Sequence, residues 1–311
     1  MPELPDVTVY VERVSERVVG QTLERVRLAS PFLLRSVTPP LSAVAGKRVL
    51  GLERLGKRIV FALADDYFLV LHLMVAGRLK WPGQKEAKIP GKVGLAAFDF
   101  SSGTLILTEA SSKKRASLHV VAGRAGLAEH DRGGLEPVGA TKQAFREVIR
   151  RENHTIKRTL TDPRLFSGIG NAYSDEILHR AQLSPVALTS RLGDPEIARL
   201  HQATESLLRE WTDKLRQESA TKFPEKVTAF REDFAVHGKY RQPCPVCKKP
   251  VQRIRYAENE TNYCAVCQTG GKLLADRGLS RLLHGDWPKS IDEMDERKAS
   301  GRAEMIGEAD D

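Results

Sequence analysis

TLTDPRLFSGIGNAYSDEILHRAQLSP, Thr159–Pro185, is the stretch on which the fold turns. Gly168 and Gly170 permit a tight turn, because neither carries a Cβ. Asn171 stands where it can cap the helix that begins near Ala172, or present its amide outward. Exposed backbone N–H groups at such a helix start suit a phosphate. Gly-x-Gly-Asn turns are also ordinary structural features, so the turn alone assigns no function. Helical spacing of apolar residues from Thr141 to Leu215 predicts helices on both sides of it. Glu136-Pro137 and neighbouring glycines mark a linker before them.

Upstream the period changes. Val7, Val11, Val14 and Val18 recur at helical spacing and predict a helix over Asp6–Val19. From Gln21 to about Val121, short apolar runs alternate with Gly, Pro and charged turns. RIVFAL, YFLVLHLMV, LAAFDF and GTLILT are the clearest of them, and they read as strands of a sandwich or barrel.

Downstream, Lys222–Lys239 mixes charges and aromatics around Pro224 and reads as a loop. It leads to Cys244, Cys247, Cys264 and Cys267, the only cysteines in the chain. Two C-x2-C knuckles with sixteen residues between them can turn four thiolates onto one Zn²⁺ ion. A redox dithiol pair is the alternative. Four thiolates leave no position for water, so such an ion folds the segment rather than catalysing. QRIRYAENETNY between the knuckles predicts a hairpin turning around residues 257–260. A short helix is expected over Leu273–Gly285, then a charged, mobile tail.

Of 311 residues 41% are hydrophobic, enough for globular cores in about two domains. No apolar run approaches the roughly 20 residues that cross a bilayer. MPELPDV lacks the pattern of a secretory signal. A soluble protein, cytoplasmic or nucleoid-associated, is therefore expected. The net charge is +9, and eight acidic against four basic residues from Trp287 onward leave the rest near +13. That balance favours a polyanionic partner without choosing between DNA, RNA and a membrane surface.

MPELPDV at the start, GIGNAYSDEILHRAQLSP in the middle and the four cysteines near the end occur in one order, over roughly residues 2–268. Together they resemble the formamidopyrimidine-DNA glycosylase / endonuclease VIII family. The resemblance implies an α+β fold: an N-terminal β-sandwich with flanking helices (1–125), a helix–two-turn–helix domain (136–222), a zinc finger (236–272) and a charged tail (273–311). It also implies a bifunctional DNA glycosylase and abasic-site lyase. Damaged DNA would be the partner, held in a basic cleft between the domains of a monomer, and one structural Zn²⁺ ion the cofactor.

By the same resemblance Pro2, exposed when Met1 is removed, is the nucleophile. A terminal amine of pKa about 7.7–8.0 is partly neutral near pH 7, whereas a lysine at about 10.4 is not. Glu3 moves protons at the sugar ring oxygen. Lys57 contacts phosphate at the lesion and aids catalysis, unless it is only a solvated lysine at a strand start. Asn171 and Gly170 contact phosphate from the turn. Asp6 stands where the family usually has glutamate.

The chain also departs from the family pattern. Asn259 replaces the finger's usual arginine, between Glu258 and Glu260, leaving Arg253 or Arg255 to substitute. Val75, beside Met74, stands at the intercalating methionine. Residues 109–118, EASSKKRASL, carry no aromatic wedge, and Gln182 replaces a glycine after the turn helix. These changes fall on holding flipped DNA more than on Pro2 and Glu3. They leave a second reading, a non-catalytic relative that binds damaged DNA. An RNA-binding zinc-ribbon protein is a third, opposed by the N-terminal motif.

Overall fold

A computed structural model describes residues 1–225, 227–256, 259–274 and 288–299. Its chain divides into two units. Met1–Gly139, Asp162–Ile169 and Leu208–Ala229 form the first. Ala140–Thr161, Gly170–Leu207 and the described residues from Phe230 onward form the second.

Helix α1 (Leu4–Val18) opens the first unit. Glu3 is its N-cap and Pro5 lies in its first turn, where a missing N–H costs nothing. Asp6 Oδ2 accepts the Glu3 backbone N–H at 2.9 Å. The Glu3 side chain accepts the Asp6 backbone N–H in return, completing a capping box. Val7, Tyr10, Val14 and Val18 form the buried stripe. Tyr10 takes the place expected of Val11, which is only half-buried.

The sheet follows as β1 (Thr22–Leu28), β2 (Lys47–Leu55), β3 (Arg58–Leu63), β4 (Tyr67–His72), β5 (Gly77–Lys80), β6 (Gly94–Phe100), β7 (Gly103–Glu109) and β8 (Ser117–Ala122). Its spatial order is β5-β7-β6-β1-β2-β3-β4-β8, with antiparallel neighbours throughout. Only Thr22↔Arg48 and Leu23↔Lys47 pair across β1 and β2, and there the ribbon doubles over. Phe61 on β3 stacks on Phe98 and Phe100 of β6, with ring centroids 6.0 and 6.3 Å apart. Strands three places apart in the pairing order thus meet face to face, which makes the expected sandwich. Helix α2 (Gly123–Ala128) packs beside β8.

Helices dominate the second unit: α3 (Lys142–Arg151), α4 (Ile156–Thr161), α5 (Asn171–Arg180) and the first part of α6 (Asp194–Glu218). Thr141 caps α3 by accepting the Ala144 N–H at 3.2 Å. Strands β9 (Gln252–Tyr256) and β10 (Asn259–Tyr263) pair as the expected hairpin, and α7 (Ala265–Thr269) follows. Most of the turn between the strands, and most of the helix expected over 273–285, lie outside the described residues. Within the charged tail, α8 (Ile291–Ala299) is helical, and Ile291 and Met294 pack with Ile254, Tyr263, Ala265 and Leu273.

Phe61 is fully buried, so Phe61→Ala should cost about 3–5 kcal/mol in denaturant unfolding. Leu50, 60% exposed, should tolerate alanine within about 0.5 kcal/mol. Equal midpoints for the two variants would contradict the two-layer packing.

Candidate functional site

Pro2, Glu3 and Asp6 are buried at the start of α1, and the capping box fixes their backbone. The Leu4 N–H donates to Gly168 O at 2.9 Å, so the glycine turn is anchored beside the chain start. Gly168 needs its identity there. Its φ is +78°, and a Cβ would lie 2.9 Å from Leu4 Cβ and 3.0 Å from Arg54 Nη1. The chain passes from the first unit to the second between Ile169 and Gly170.

Glu3, Arg78, Asp6 and Lys57 act on the terminal amine, which in this chain belongs to Met1. Burial is the largest influence and lowers its pKa below the usual 8.0; Glu3 opposes, and Arg78 and Lys57 reinforce. Lys57 is likewise lowered by burial of its amine, against the pull of Glu3. The structure therefore brings together Pro2, Glu3 and Lys57. Arg78 joins them, and no sequence motif marked it. It donates to Gly77 O at 2.7 Å and to Val227 O.

Beside Lys57, Arg58 lies among three histidines. Arg58 pairs in register with His72, and the His119 and His130 rings meet edge-on with centroids 4.8 Å apart. Burial, then Arg58 and Lys57, push His72 down to about 4, so its ring is neutral near pH 7. Burial also lowers His119 and His130.

In the second unit, α5 carries a buried polar stripe. Asn171 Nδ2 donates to the backbone oxygen of Glu260 at 2.8 Å. Asp175 Oδ1 takes Lys157 Nζ at 2.5 Å, while its Oδ2 meets His237 Nδ1 at 2.8 Å and the Asn262 N–H at 3.1 Å. Glu176 accepts the N–H groups of Ala235, Val236 and His237 at 2.7, 2.9 and 2.8 Å. Burial raises the Glu176 pKa, and these three donors pull against it. His179 Nε2 lies 3.3 Å from Cys244 Sγ. Of these residues the turn motif marked only Asn171. The available signal for the rest was an Asp-Glu pair in helical phase with Asn171.

The sulfurs of Cys244, Cys247, Cys264 and Cys267 all lie within 4.8 Å of one another. Cys247–Cys264 is 3.3 Å and Cys244–Cys267 3.9 Å. A tetrahedral Zn²⁺ with bonds of about 2.3 Å sets its sulfurs about 3.8 Å apart, so the cluster fits one four-thiolate ion. On the hairpin, Arg253 packs over the Tyr240 ring at 4.1 Å and reaches Glu260 at 3.5 Å. The side chain of Asn259 lies outside the described residues. Val75 is 52% exposed. The loop after β7 folds onto buried Glu109, which accepts the N–H groups of Arg115 and Ala116 at 3.0 and 3.1 Å.

An antiparallel sandwich led in by a helix, then a glycine-turn helix fastened to a four-thiol hairpin, defines the class of this protein. The formamidopyrimidine-DNA glycosylase N-terminal domain model matches residues 1–114, and that family's H2TH domain model matches residues 134–221. A formamidopyrimidine-DNA glycosylase of Heliobacterium modesticaldum is 30% identical over 280 residues, covering 86% of this chain and 100% of that protein. An uncharacterised formamidopyrimidine-DNA glycosylase-like protein of Mycobacterium tuberculosis is 43% identical over 128 residues, 41% of this chain and 79% of that one. Lactococcus lactis Fpg bound to abasic-site DNA superposes with a TM-score of 0.74 at 26% identity, covering 86% of this chain and 99% of that one. A variant of the same enzyme bound to Fapy-dG DNA gives 0.76, also at 26% identity, covering 86% and 100%. The chain belongs to the formamidopyrimidine-DNA glycosylase family. Among the described residues no helix is long and apolar enough to cross a membrane.

Glu176→Ala would orphan three backbone donors in the segment that enters the finger. Each buried, unpaired N–H costs about 1–3 kcal/mol. Hydrogen exchange should therefore accelerate by at least tenfold at residues 235–237, and spread into β9 and β10. Unchanged protection there would mean that α5 does not hold the finger.

Proposed function

We propose that this chain is a bifunctional DNA glycosylase and abasic-site lyase acting on oxidised or abasic DNA through Pro2, once Met1 is removed. The observation that carries the reading is the chain start itself, where Pro2 and Glu3 are buried and the charges of Glu3 and Lys57 act on the Met1 amine just ahead of Pro2. The relatives named as glycosylases, and the Lactococcus lactis enzyme bound to Fapy-dG and abasic DNA, support the substrate class.

The neutral Pro2 nitrogen attacks sugar C1′. The N–C1′ bond forms, the bond to the damaged base breaks, and the base leaves with the electron pair and takes up a proton. Glu3, positioned by the capping box, moves the proton at the ring oxygen as the sugar opens. A secondary amine can give only a charged iminium, which withdraws electrons from C2′. Loss of a C2′ proton then expels the 3′ phosphate, and water releases the enzyme. Lys57 holds the phosphate at the lesion, and Asn171 with the Gly170 turn holds another. The four thiolates hold one Zn²⁺ ion, which supplies no step and fixes the hairpin.

Borohydride reduction on abasic DNA should trap a covalent complex at the mature N-terminus. A form with a residue retained ahead of Pro2 should give none. Because only the neutral amine attacks, trapping should fall as pH drops through the amine pKa. Burial at this chain start lowers the pKa of the Met1 amine and would act on the Pro2 amine in the same direction, so the fall should lie at lower pH than for a freely exposed terminal proline. No trapping with intact DNA binding would favour the non-catalytic reading.

Abasic DNA should also be cut faster than duplex 8-oxoguanine is excised. Val75 and the loop folded on Glu109 offer no large wedge to replace an extruded base. Unstacking costs a few kcal/mol, and about 1.4 kcal/mol is tenfold in rate. A deficit of roughly one to two orders of magnitude on duplex lesions is expected. Equal rates would show that other residues fill the gap.

A further inference from the structure

The polar stripe of α5 ends on the thiol cluster. His179 is 6% exposed and Cys244 is fully buried, and the imidazole Nε2 stands 3.3 Å from Cys244 Sγ. A metal-bound thiolate can only accept a hydrogen bond, so Nε2 must carry the proton and donate it. Neither the cysteine spacing nor the turn motif calls for a histidine at this place. The contact joins the helix that starts at Asn171 to one sulfur of the metal cluster. Glu176, His179, Arg180, Gln182 and Cys267 help to line a cleft of about 310 Å³.

We propose that His179 is a positioning residue for the metal centre. Its Nε2–H···Sγ bond draws charge from the Cys244 thiolate, holds that sulfur in the tetrahedron and slows its escape from the ion. Groups just outside a metal's ligands act in this way on ligand orientation and affinity. Asn171, Asp175, Glu176 and His179 then fasten one helix to the hairpin, the segment entering it and the metal cluster. Metal retention and the placement of α5 are thereby coupled. The inference rests on the reading of the four cysteines as a zinc site.

The test uses the full-length chain purified with zinc, as wild type, His179→Leu and His179→Gln. Metal content comes first, by mass spectrometry of the element. One zinc per chain is expected in the wild type; none would overturn the zinc reading itself, and this inference with it. Release into excess chelator follows. The Leu variant should lose zinc about 10–100-fold faster, and Gln, which keeps an N–H donor, should recover part of the difference. Equal release rates from three zinc-loaded proteins would overturn the role of His179 and leave the zinc site standing. A measurement on the wild type removes any dependence on folding of the variants. In protein loaded with cadmium-113, scalar coupling is expected between the metal and the His179 Nε2 proton, transmitted through Cys244 Sγ. A cadmium-loaded protein in which that coupling is missing would equally overturn the proposal.

Discussion

The carboxylate of Glu176, buried and filled by three successive backbone N–H groups, is the interaction on which the second unit depends. Residues 235–237 have no sheet or helix to satisfy their amides. An unpaired buried amide costs free energy on the scale of a whole hydrogen bond, so the segment must take its shape from an acceptor. One side chain on α5 supplies it three times over. The neighbouring Asp175 spends one oxygen on Lys157 and the other on His237 and the Asn262 amide. These two adjacent acids fix the entry to the finger and one strand of its hairpin, before any metal is considered.

This arrangement also explains what could and could not be read from the sequence. Strand β3 coincides with the RIVFAL run, and the runs LAAFDF and GTLILT lie within β6 and β7. An apolar stretch bounded by turn residues has few other ways to fold. The cysteines were legible for a stricter reason: thiolate geometry restricts the spacing. Asp175, Glu176 and His179 were not. Hydrophobic periodicity counts every charged residue as outward-facing, and these point inward to partners about 60 residues away. Nor does periodicity show which unit a segment joins. Asp162–Ile169 and Leu208–Ala229 belong to the first unit although segments of the second flank them in the chain. At α1 the substitution of Tyr10 for Val11 in the buried stripe is a similar case. The spacing marks a helix, while the choice of face follows from the volume that the sandwich must fill.

The chain start shows how a local rule serves a distant purpose. Capping boxes normally satisfy helix amides and nothing more. Here the box is built from Glu3 and Asp6, so capping fixes the backbone beside Pro2 and occupies the Asp6 carboxylate with the Glu3 amide. An aspartate suffices for that contact, and this gives a physical account of the shorter acid at position 6. Gly168 closes the arrangement from another part of the first unit, since any larger residue would displace Leu4 or Arg54. The geometry of the first three residues is thus set by the two short-range bonds of the capping box, the Leu4 N–H bond to Gly168 O and one close approach.

A hairpin of this size cannot bury enough apolar surface to fold alone, which is why such modules need a metal or another staple. This one draws on three sources. The cysteines with Val236 and Val251 make one small core, and Ile254, Tyr263, Ala265 and Leu273 make a second. The second core is completed by Ile291 and Met294 of α8, and the Lys249–Asp295 pair at 3.0 Å lies along the same contact. Backbone bonds from Leu273 N–H to Lys289 O and from Ile291 N–H to Gly271 O, at 3.0 and 2.9 Å, seat that helix firmly. The Lys249–Asp295 pair is half-exposed and adds little; the buried apolar contact and the backbone bonds carry the attachment. The small core around the four thiols orders one side of the hairpin, and the residues after the second knuckle order the other. The α5 stripe spans the entry between them. Removing any one support leaves the other two acting on different atoms, so the finger's stability is spread over elements that the cysteine motif alone does not contain.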